Sequence, residues 1–488
     1  MNLFLLIHSL LQTEFTNKKF MTKQISSLRE SKTARWLVLI LVSFTMLCMY
    51  YLTDAMAPLQ EKLQGNLSWT ATEYGFFTSG YGWFNVFLLM LIFSGMILDK
   101  LGTRFTGILA IIVMLIGAFI KYWAIDGHIG SGTYELSIGS LQIISPTSKS
   151  AVIAGLGFGI FGVGSEMFGI SANKAVVRWF KGKEMALAIG LNTSTGRIGT
   201  ALAMFTPLPL YKLTNNVSTP IIVAMILLCV GLLVFFLFTF MDKKLDREET
   251  AAGVESDEEF KFSDVLDIAR NRAFWYIAAL CVLFYSAVFP FIKFATNLIV
   301  QKFEVTDSFA GYIPALLPFS ALLLTPLFGS ISDKKGKAAS IMVLGSVILV
   351  IVHLLFSIPS LNSFSIAIGL VVLLGIAFSL VPSAMWPAVA KIIPHSKLGT
   401  AYAMIFWVQN WGLMGVPLLI GYVLDKYCII SSKEVMIEGE MQLITQYNYS
   451  IPMMIFACFG FVAILFAVLL KAEDKKKGYG LEMPNIKE

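Results

Sequence analysis

Charged residues are scarce in this sequence. Asp, Glu, Lys and Arg together make up 14% of its 488 residues, whereas a soluble protein usually carries about 25%. Cysteine and histidine are rarer still, with five and four copies. The cysteines have neither metal-ligand spacing nor the number that a disulfide-stabilised domain requires. This composition excludes an ordinary soluble domain, and no pattern of residues indicates a metal or a cofactor.

Catalytic sequence motifs are also missing. The sequence contains no GxxxxGK[ST] phosphate-binding loop, no HExxH and no GxSxG in a strand–turn–helix context. We therefore expect neither an enzyme nor an ATP-driven pump.

Long apolar stretches fill the chain instead. About 20 apolar residues are needed to cross the hydrocarbon core of a bilayer. Twelve stretches reach that length: 36–56, 74–98, 105–123, 150–173, 185–210, 219–241, 273–299, 309–332, 339–358, 363–390, 399–424 and 449–470. We predict an all-α membrane protein of twelve transmembrane helices in two six-helix halves. The predicted units are a tail at 1–35, a first half at 36–241, a charged linker at 242–272, a second half at 273–470 and a tail at 471–488.

Basic residues predict how the chain is oriented. Lys and Arg are enriched in alternate connecting segments, and short loops rich in these residues stay in the cytoplasm. The opposite loops are poorer and offer mainly Lys62, Lys121, Lys149, Lys212, Lys302, Lys426 and Lys433. We expect both termini to be cytoplasmic and the host to be a cell membrane, with a bacterial inner membrane as the leading choice. The net charge of +6 follows from this topology and does not indicate nucleic acid.

We expect no signal peptide in the N-terminal segment, because no basic region precedes its apolar stretch and no small-residue cleavage site follows. Met21 is an alternative start to Met1.

A ten-residue motif occurs once in each half. The first copy, GMILDKLGTR, follows the second span, and the second copy, GSISDKKGKA, follows the eighth. Glycine lets helices approach closely, and the acid can pair with a base or a helix end. The shared residues recur 234 positions apart and are Gly95, Asp99 and Gly102 in the first copy and Gly329, Asp333 and Gly336 in the second.

With Arg104, the first copy resembles the inner-gate signature of the major facilitator superfamily, G-x-x-x-D-x-x-G-x-R/K. The second copy departs from it, since Lys337 comes one residue early and Ala338 stands at the family position. The resemblance implies two six-helix bundles around a central cavity, and alternating access by rocking of the two bundles.

Two charged residues lie deep inside predicted spans, Glu166 in the fourth and Arg197 in the fifth. A charge at mid-bilayer costs roughly 2.5–3.5 kcal/mol, so its presence indicates a function. We interpret the two as opposite charges presented to a small zwitterion, with Arg197 holding a carboxylate and Glu166 an ammonium group. The alternative is an ion pair between them that only holds the first half together.

The segment around these two residues, GVGSEMFGISANKAVVRWFKGKEMALAIGLNTSTGRIGT, resembles the lysosomal dipeptide transporter branch of the superfamily. YYLTDAMAPL, AVFPFIKF and LGTAYAMIFWVQNWGL are similar to it as well. In that branch an acid and an arginine contact the ends of the peptide backbone, and the resemblance places those roles on Glu166 and Arg197. The chain departs from the branch at Lys293, Ser194 and Thr195.

Weaker candidates for substrate binding lie on other spans. Asp54 and Tyr50 share a face near the outer end of the first span, where Asp54 either lines the cavity, senses protons or is a solvated helix-end acid. Lys293 shares a face with Tyr285. It either gates the outer mouth, attracts a carboxylate or extends to the membrane surface.

Three further candidates lie in the tenth and eleventh spans. Trp386, between two prolines, is a candidate contact for substrate side chains at a kinked helix. Gln409 and Asn410 either bind the ligand from the second half or join neighbouring helices.

The leading prediction is a secondary transporter of small zwitterionic solutes, with dipeptides or short peptides as substrates and the lipid bilayer as its surroundings. Two alternatives stay open. In a proton-coupled organic-anion or sugar-acid transporter, Arg197 and Lys293 bind carboxylate and Glu166 takes up a proton. A receptor or scaffold of the same fold moves no solute. The sequence decides neither proton coupling nor an accessory subunit.

Overall fold

The computed structural model describes residues 28–130, 132–138, 141–181, 183–251, 262–394, 397–437 and 440–484. The predicted alternative start at Met21, most of the predicted N-terminal tail and the acidic part of the linker at 255–259 lie outside these residues.

The described residues form α-helices and two β-hairpins. The elements before the linker are α1 Lys32–Asp54, a 3-10 turn Ala57–Leu59, α2 Gln60–Leu67, α3 Ala71–Phe87, α4 Met90–Ile125, β1 Thr133–Ile138, β2 Leu141–Ser148, α5 Lys149–Phe180, α6 Met185–Phe205, α7 Pro207–Thr214 and α8 Thr219–Ala251. The elements after it are α9 Phe262–Ala269, α10 Arg272–Phe303, α11 Asp307–Ala310, α12 Tyr312–Lys335, α13 Ala338–Ser357, α14 Phe364–Ile392, α15 Leu398–Tyr427, β3 Ile429–Ile437, β4 Glu440–Tyr447 and α16 Ser450–Lys477.

The helical architecture is confirmed, but the count of twelve spans is not. Among the described residues, ten helices are long and apolar enough to cross a membrane. Two helices in predicted spans are not among them. Helix α3 has 17 residues, about one turn short of the thickness of the hydrocarbon core. Helix α6 carries the polar run 192–195 and Arg197, which lower its hydropathy.

The second predicted span, 74–98, is divided between two helices. Helix α3 ends at Phe87, and α4 begins at Met90 after Leu89 adopts a left-handed conformation with φ of 53°. The turn predicted after that span is a single non-helical residue, Gly102, with φ of 77° and ψ of 171°. A positive φ favours glycine, so the motif glycine marks the point where the chain changes direction inside α4.

The hairpins distinguish the two ends of the helical bundle. Strands β1 and β2 pair antiparallel between α4 and α5, and β3 and β4 do so between α15 and α16. We call this the hairpin end. The opposite end carries both copies of the ten-residue motif, and we call it the basic end.

Glycine allows α5 to lie against α3 and α4. A Cβ atom at Gly162 would overlap the carbonyl oxygen of Tyr81 on α3, and one at Gly157 would overlap the backbone of α4. Gly80 on α3 meets Gly155 on α5 in the same way. Association of helices in lipid depends on such close packing, and here it holds α3, α4 and α5 together as one unit.

The two halves are joined at the hairpin end by a helix cap. The carboxylate of Asp425, at the end of α15, accepts hydrogen bonds from the backbone N–H groups of Ala71 and Thr72 at 3.0 and 2.6 Å. These N–H groups begin α3, in the other half of the chain. A carboxylate at a helix N-terminus satisfies free donors and interacts favourably with the helix dipole. The Tyr447 hydroxyl of β4 donates to the same carboxylate at 3.0 Å.

We expect Gly162→Ala to lower the free energy of unfolding by about 1–3 kcal/mol, because the added methyl group separates α5 from α3. Gly169→Ala, in the same helix, is the matched control, since nothing lies within 4 Å of its Cβ position. That change should raise stability by about 0.5–1 kcal/mol through the better helix propensity of alanine. Thermal unfolding of the detergent-purified variants measures both. Equal effects of the two substitutions would contradict close packing at Gly162.

Candidate functional site

The predicted site residues lie at the centre of the bundle, on helices of both halves. Glu166 lies on α5, Arg197 on α6, and Tyr50 and Asp54 on α1. The second half contributes α10, α14 and α15. Side chains from the two halves meet here, so the candidate site is the contact region between them.

Glu166 accepts hydrogen bonds from both halves. The Tyr81 hydroxyl of α3 donates to Glu166 Oε1 at 3.0 Å, and Asn410 Nδ2 of α15 donates to the same atom at 3.4 Å. The close packing of α3 on α5 at Gly162 brings Tyr81 within reach. Glu166 stays partly exposed, so its carboxylate can accept further hydrogen bonds from a bound cation.

Arg197 is surrounded by aromatic rings. Its guanidinium carbon lies 5.7 Å from the ring centroid of Tyr50, 5.5 Å from that of Phe289 and 4.7 Å from that of Phe378. Arginine is attracted to ring faces at such distances. Tyr50 belongs to the first half of the chain, whereas Phe289 and Phe378 belong to the second. The arginine therefore bridges the two halves by contacts that leave its five N–H donors available.

Glu166 and Arg197 do not pair. Within the described part of the chain, no carboxylate lies within 4.0 Å of the Arg197 guanidinium, and Glu166 contacts Tyr81 and Asn410 instead. The direct ion pair considered as an alternative role for these residues is absent from this structure. Two opposite charges thus face the space between the halves without neutralising each other.

Asp54 and Lys293 form an ion pair between the halves. Lys293 Nζ lies 2.6 Å from Asp54 Oδ1 and donates to the carbonyl oxygen of Thr53 at 2.9 Å. The second carboxylate oxygen of Asp54 accepts from the Thr200 hydroxyl at 2.8 Å. Asp54 is buried and is therefore not a solvated helix-end acid in this structure. The Lys293 ammonium group ends on the Asp54 carboxylate.

Trp386, Tyr285 and Gln409 all make their contacts within the second half. Trp386 Nε1 donates to the Tyr285 hydroxyl at 3.2 Å. Tyr285 stacks on Phe289, one of the rings beside Arg197, with centroids 5.1 Å apart. Gln409 Oε1 accepts from the Cys281 thiol at 3.7 Å, so it joins α15 to α10. Trp386 and Tyr285 therefore form an aromatic wall that continues from the Arg197 cage.

Sequence reasoning missed three residues at this site. Tyr81 and Phe378 contact the two central charges, but in a chain with 39 phenylalanines and 16 tyrosines nothing distinguishes them. Lys121 was assigned to an outer loop, and that assignment is wrong. It is 1% exposed on α4, donates to the carbonyl oxygen of Leu52 at 3.3 Å and lies over the rings of Phe158 and Phe161. Its position inside an apolar stretch was the available signal.

Three contacts of the first motif copy at the basic end join α4 to α5 and to α8. Asp99 accepts from Lys174 at 2.8 Å, and Arg104 pairs with Asp242 at 3.4 Å and with Asp246. Among the described residues, no atom of another element lies within 4 Å of the Gly95 Cβ position. Its expected role in close helix approach is therefore not realised here.

The second motif copy contacts the C-terminal residues instead. Gly336, with φ of 70°, lies against the backbone of Met483. The Ala338 N–H donates to the carbonyl oxygen of Leu481 at 2.9 Å, and Ser340 binds the Glu482 carboxylate. The tail thus caps α13 where the second copy lacks the family base. Gly329 resembles Gly95 in having nothing within 4 Å of its Cβ position. Asp333 lies near Lys391 of α14, close enough for the two opposite charges to interact.

Comparison with known families gives one match that covers most of the chain. A model described as Major Facilitator Superfamily matches residues 38–417 and 294–484.

Two curated relatives are similar to this chain over about four fifths of their length. The chain is 27% identical to the lysosomal dipeptide transporter MFSD1 of Homo sapiens over 401 residues, or 80% of each chain. The protein of the same name from Danio rerio is also 27% identical, over 80% of this chain and 81% of that one. The inner membrane transport protein YdiN of Escherichia coli is 30% identical over 32% of this chain and 38% of its own.

Solved structures share the fold. A D-xylose-proton symporter superposes with a TM-score of 0.65 at 12% identity, over 88% of this chain and 97% of that one. A bacterial homologue of the human lysosomal transporter Spinster, in an inward-facing and occupied conformation, gives 0.63 at 14% identity over 91% and 98%. At these identities the likeness extends to the fold alone.

We expect Lys293→Met to lower the free energy of unfolding by about 3–5 kcal/mol, because the change leaves Asp54 as an unpaired buried charge. The double variant Asp54→Asn/Lys293→Met removes both charges and should recover most of that loss. Thermal unfolding of the purified variants measures both effects. A double variant as unstable as Lys293→Met would show that the ion pair is not what the lysine contributes.

Proposed function

This chain belongs to the Major Facilitator Superfamily, and we propose that it carries small zwitterionic solutes, above all dipeptides and other short peptides, across a membrane by alternating access. One observation supports the proposal most directly. An acid and an arginine from the same half face the region between the halves, and neither neutralises the other.

The charges match the two ends of a short peptide. The Arg197 guanidinium offers a planar pair of donors, which suits a carboxylate that accepts two parallel hydrogen bonds. The Glu166 carboxylate suits an ammonium group. A single amino acid, a dipeptide and a tripeptide carry the same two charges at different separations, so the spacing of the residues selects among them.

The aromatic cage indicates how binding communicates with the second half. Arg197 contacts Phe289 and Phe378 across the interface. A substrate carboxylate would draw the guanidinium towards itself and weaken these ring contacts, since the arginine cannot optimise both at once. The substrate therefore changes the interaction between the halves, as alternating access requires.

The relatives favour a peptide over other zwitterions. MFSD1 of Homo sapiens and of Danio rerio are named as dipeptide transporters. We extend that substrate class to this chain because its Glu166 and Arg197 lie in the segment that resembles that branch.

The remaining assignments belong to the same proposal. Tyr50, Tyr285, Trp386, Gln409 and Asn410 complete the substrate site around the two charges. The halves 36–241 and 273–470 move as the two lobes, linked by 242–272. Their basic ends, with Asp99, Arg104, Asp333 and the motif glycines, close as the inner gate. Both termini face the cytoplasm, and the membrane is a cell membrane, most simply a bacterial inner one.

We expect a series of modified dipeptides to report separately on recognition of the ammonium group and of the carboxylate. The probes are the dipeptide Ala-Ala, its N-acetyl derivative, which lacks the ammonium group, and its C-terminal amide, which lacks the carboxylate. A ligand at a hundred times its dissociation constant stabilises the folded state by about 2.7 kcal/mol, so thermal unfolding reports binding. Each charged hydrogen bond contributes about 1.5–3 kcal/mol, so each modified ligand should bind about 10–100-fold more weakly than Ala-Ala.

The variants assign each loss to a residue. Glu166→Gln should bind Ala-Ala and its N-acetyl derivative equally weakly, and Arg197→Ala should no longer distinguish Ala-Ala from its amide. Glu473→Gln and Arg270→Ala, at the basic end, are the controls and should behave as the unchanged protein. If N-acetyl-Ala-Ala or glucuronate binds as well as Ala-Ala, the site recognises an anion and the zwitterion proposal is wrong.

Uptake of labelled Ala-Ala into liposomes is the second measurement, and binding without uptake would identify a receptor.

A further inference from the structure

A small cavity lies between the halves near the hairpin end. It is lined from the first half by Gln60 at the start of α2 and from the second by Thr296 and Asn297 on α10. Its volume is about 10 Å³, which is room for about one water molecule. It lies apart from Glu166 and Arg197, none of whose contacts reach it.

Several polar side-chain atoms of residues that line this cavity make no hydrogen bond to any described residue. They are both terminal atoms of the Gln60 amide, the Thr296 hydroxyl and Asn297 Nδ2. The side chains are 1%, 3% and 3% exposed. Buried polar groups in proteins are nearly always hydrogen-bonded, so three such residues around one cavity point to a bound molecule.

The donors determine what that molecule is. Asn297 Oδ1 accepts a hydrogen bond from the Tyr449 hydroxyl at 2.5 Å, so its Nδ2 group is left to donate. Thr296 donates a hydroxyl hydrogen, and Gln60 offers an amide donor beside an amide oxygen. A metal cation is disfavoured, because hard cations take about six oxygens. The three residues named here offer one amide oxygen and one hydroxyl, and the Glu61 carboxylate, which also lines the cavity, lies 3.6 Å from the Lys62 ammonium.

We propose that this cavity binds one hydrogen-bond acceptor of single-atom size, a water molecule or a halide ion, which joins Gln60 to Thr296 and Asn297. Because the ligands come from both halves, the site is complete only while the hairpin end is closed. Occupancy therefore favours the closed arrangement of that end.

The sign of a stability change tests the proposal. Thr296→Val keeps the shape of the side chain and removes its hydroxyl. With a bound molecule in the cavity, the change deletes one of its hydrogen bonds, and the melting temperature should fall by about 2–4 °C. If the hydroxyl has no partner at all, the same change removes a buried polar group at no loss, and the melting temperature should stay the same or rise, which would overturn the proposal.

The matched control is Thr78→Val on α3. Thr78 is also buried, at 4% exposure, but its hydroxyl donates to carbonyl oxygens of its own helix. That change should leave the melting temperature nearly unaltered. Gln60→Met, which removes the amide on the opposite wall, gives an independent reading if Thr296→Val folds poorly, and the same fall is expected.

Bromide distinguishes the two ligands. A high-resolution structure of crystals grown in sodium bromide should show density between Gln60 and Asn297. An anomalous peak there identifies a halide, and ordinary density identifies water. A map that resolves the lining side chains and shows the cavity empty overturns the proposal. No substrate enters these measurements, so their outcome is independent of the peptide proposal.

Discussion

The buried ion pair between Asp54 and Lys293 is the constraint from which the arrangement of the site follows. Charges inside a bilayer are costly, so an acid on α1 and a base on α10 have a strong reason to meet. Their contact draws the two halves together at the hairpin end. It also occupies the carboxylate of Asp54, which lies one turn from Tyr50, so Arg197 is left with aromatic rings as neighbours. Because Asp54 is paired with Lys293, the charge of Arg197 stays available for a ligand.

Hydropathy predicted the helical architecture well, because a chain in lipid has few alternatives to long apolar helices. It failed where a local conformation interrupts an apolar stretch. Leu89 adopts a left-handed conformation that separates α3 from α4, and an apolar side chain carries no signal of this. Helix α8 also continues to Ala251, into the segment predicted as a charged linker. Charged residues can remain helical beyond the bilayer, so a change in composition marks the membrane surface and not the end of the helix.

Charged site residues were predictable, and their partners were not. Glu166, Arg197 and Lys293 stand out from an apolar background, which makes each visible from sequence alone. Tyr81 and Phe378 reach the same site only through the packing of helices distant in sequence. Lys121 shows the opposite error, because this basic residue was predicted to lie in an outer loop and lies in the interior of the bundle. Interactions between the halves are a property of the assembled bundle, and no local pattern encodes them.

The hairpin formed by β3 and β4 is mechanically tied to the contact between the halves. Its Tyr447 donates to the Asp425 carboxylate that caps α3, and its backbone at Tyr447 binds Gln301 of α10 at 2.7 Å. Separation of the halves there removes the cap and breaks the hydrogen bond that Gln64 of α2 donates to the Tyr447 hydroxyl at 3.4 Å. The shape of the hairpin surface therefore differs between the two states of the molecule. An antibody fragment selected against the closed form would stabilise that conformation for imaging. It would bind the hairpin surface and leave the substrate site free.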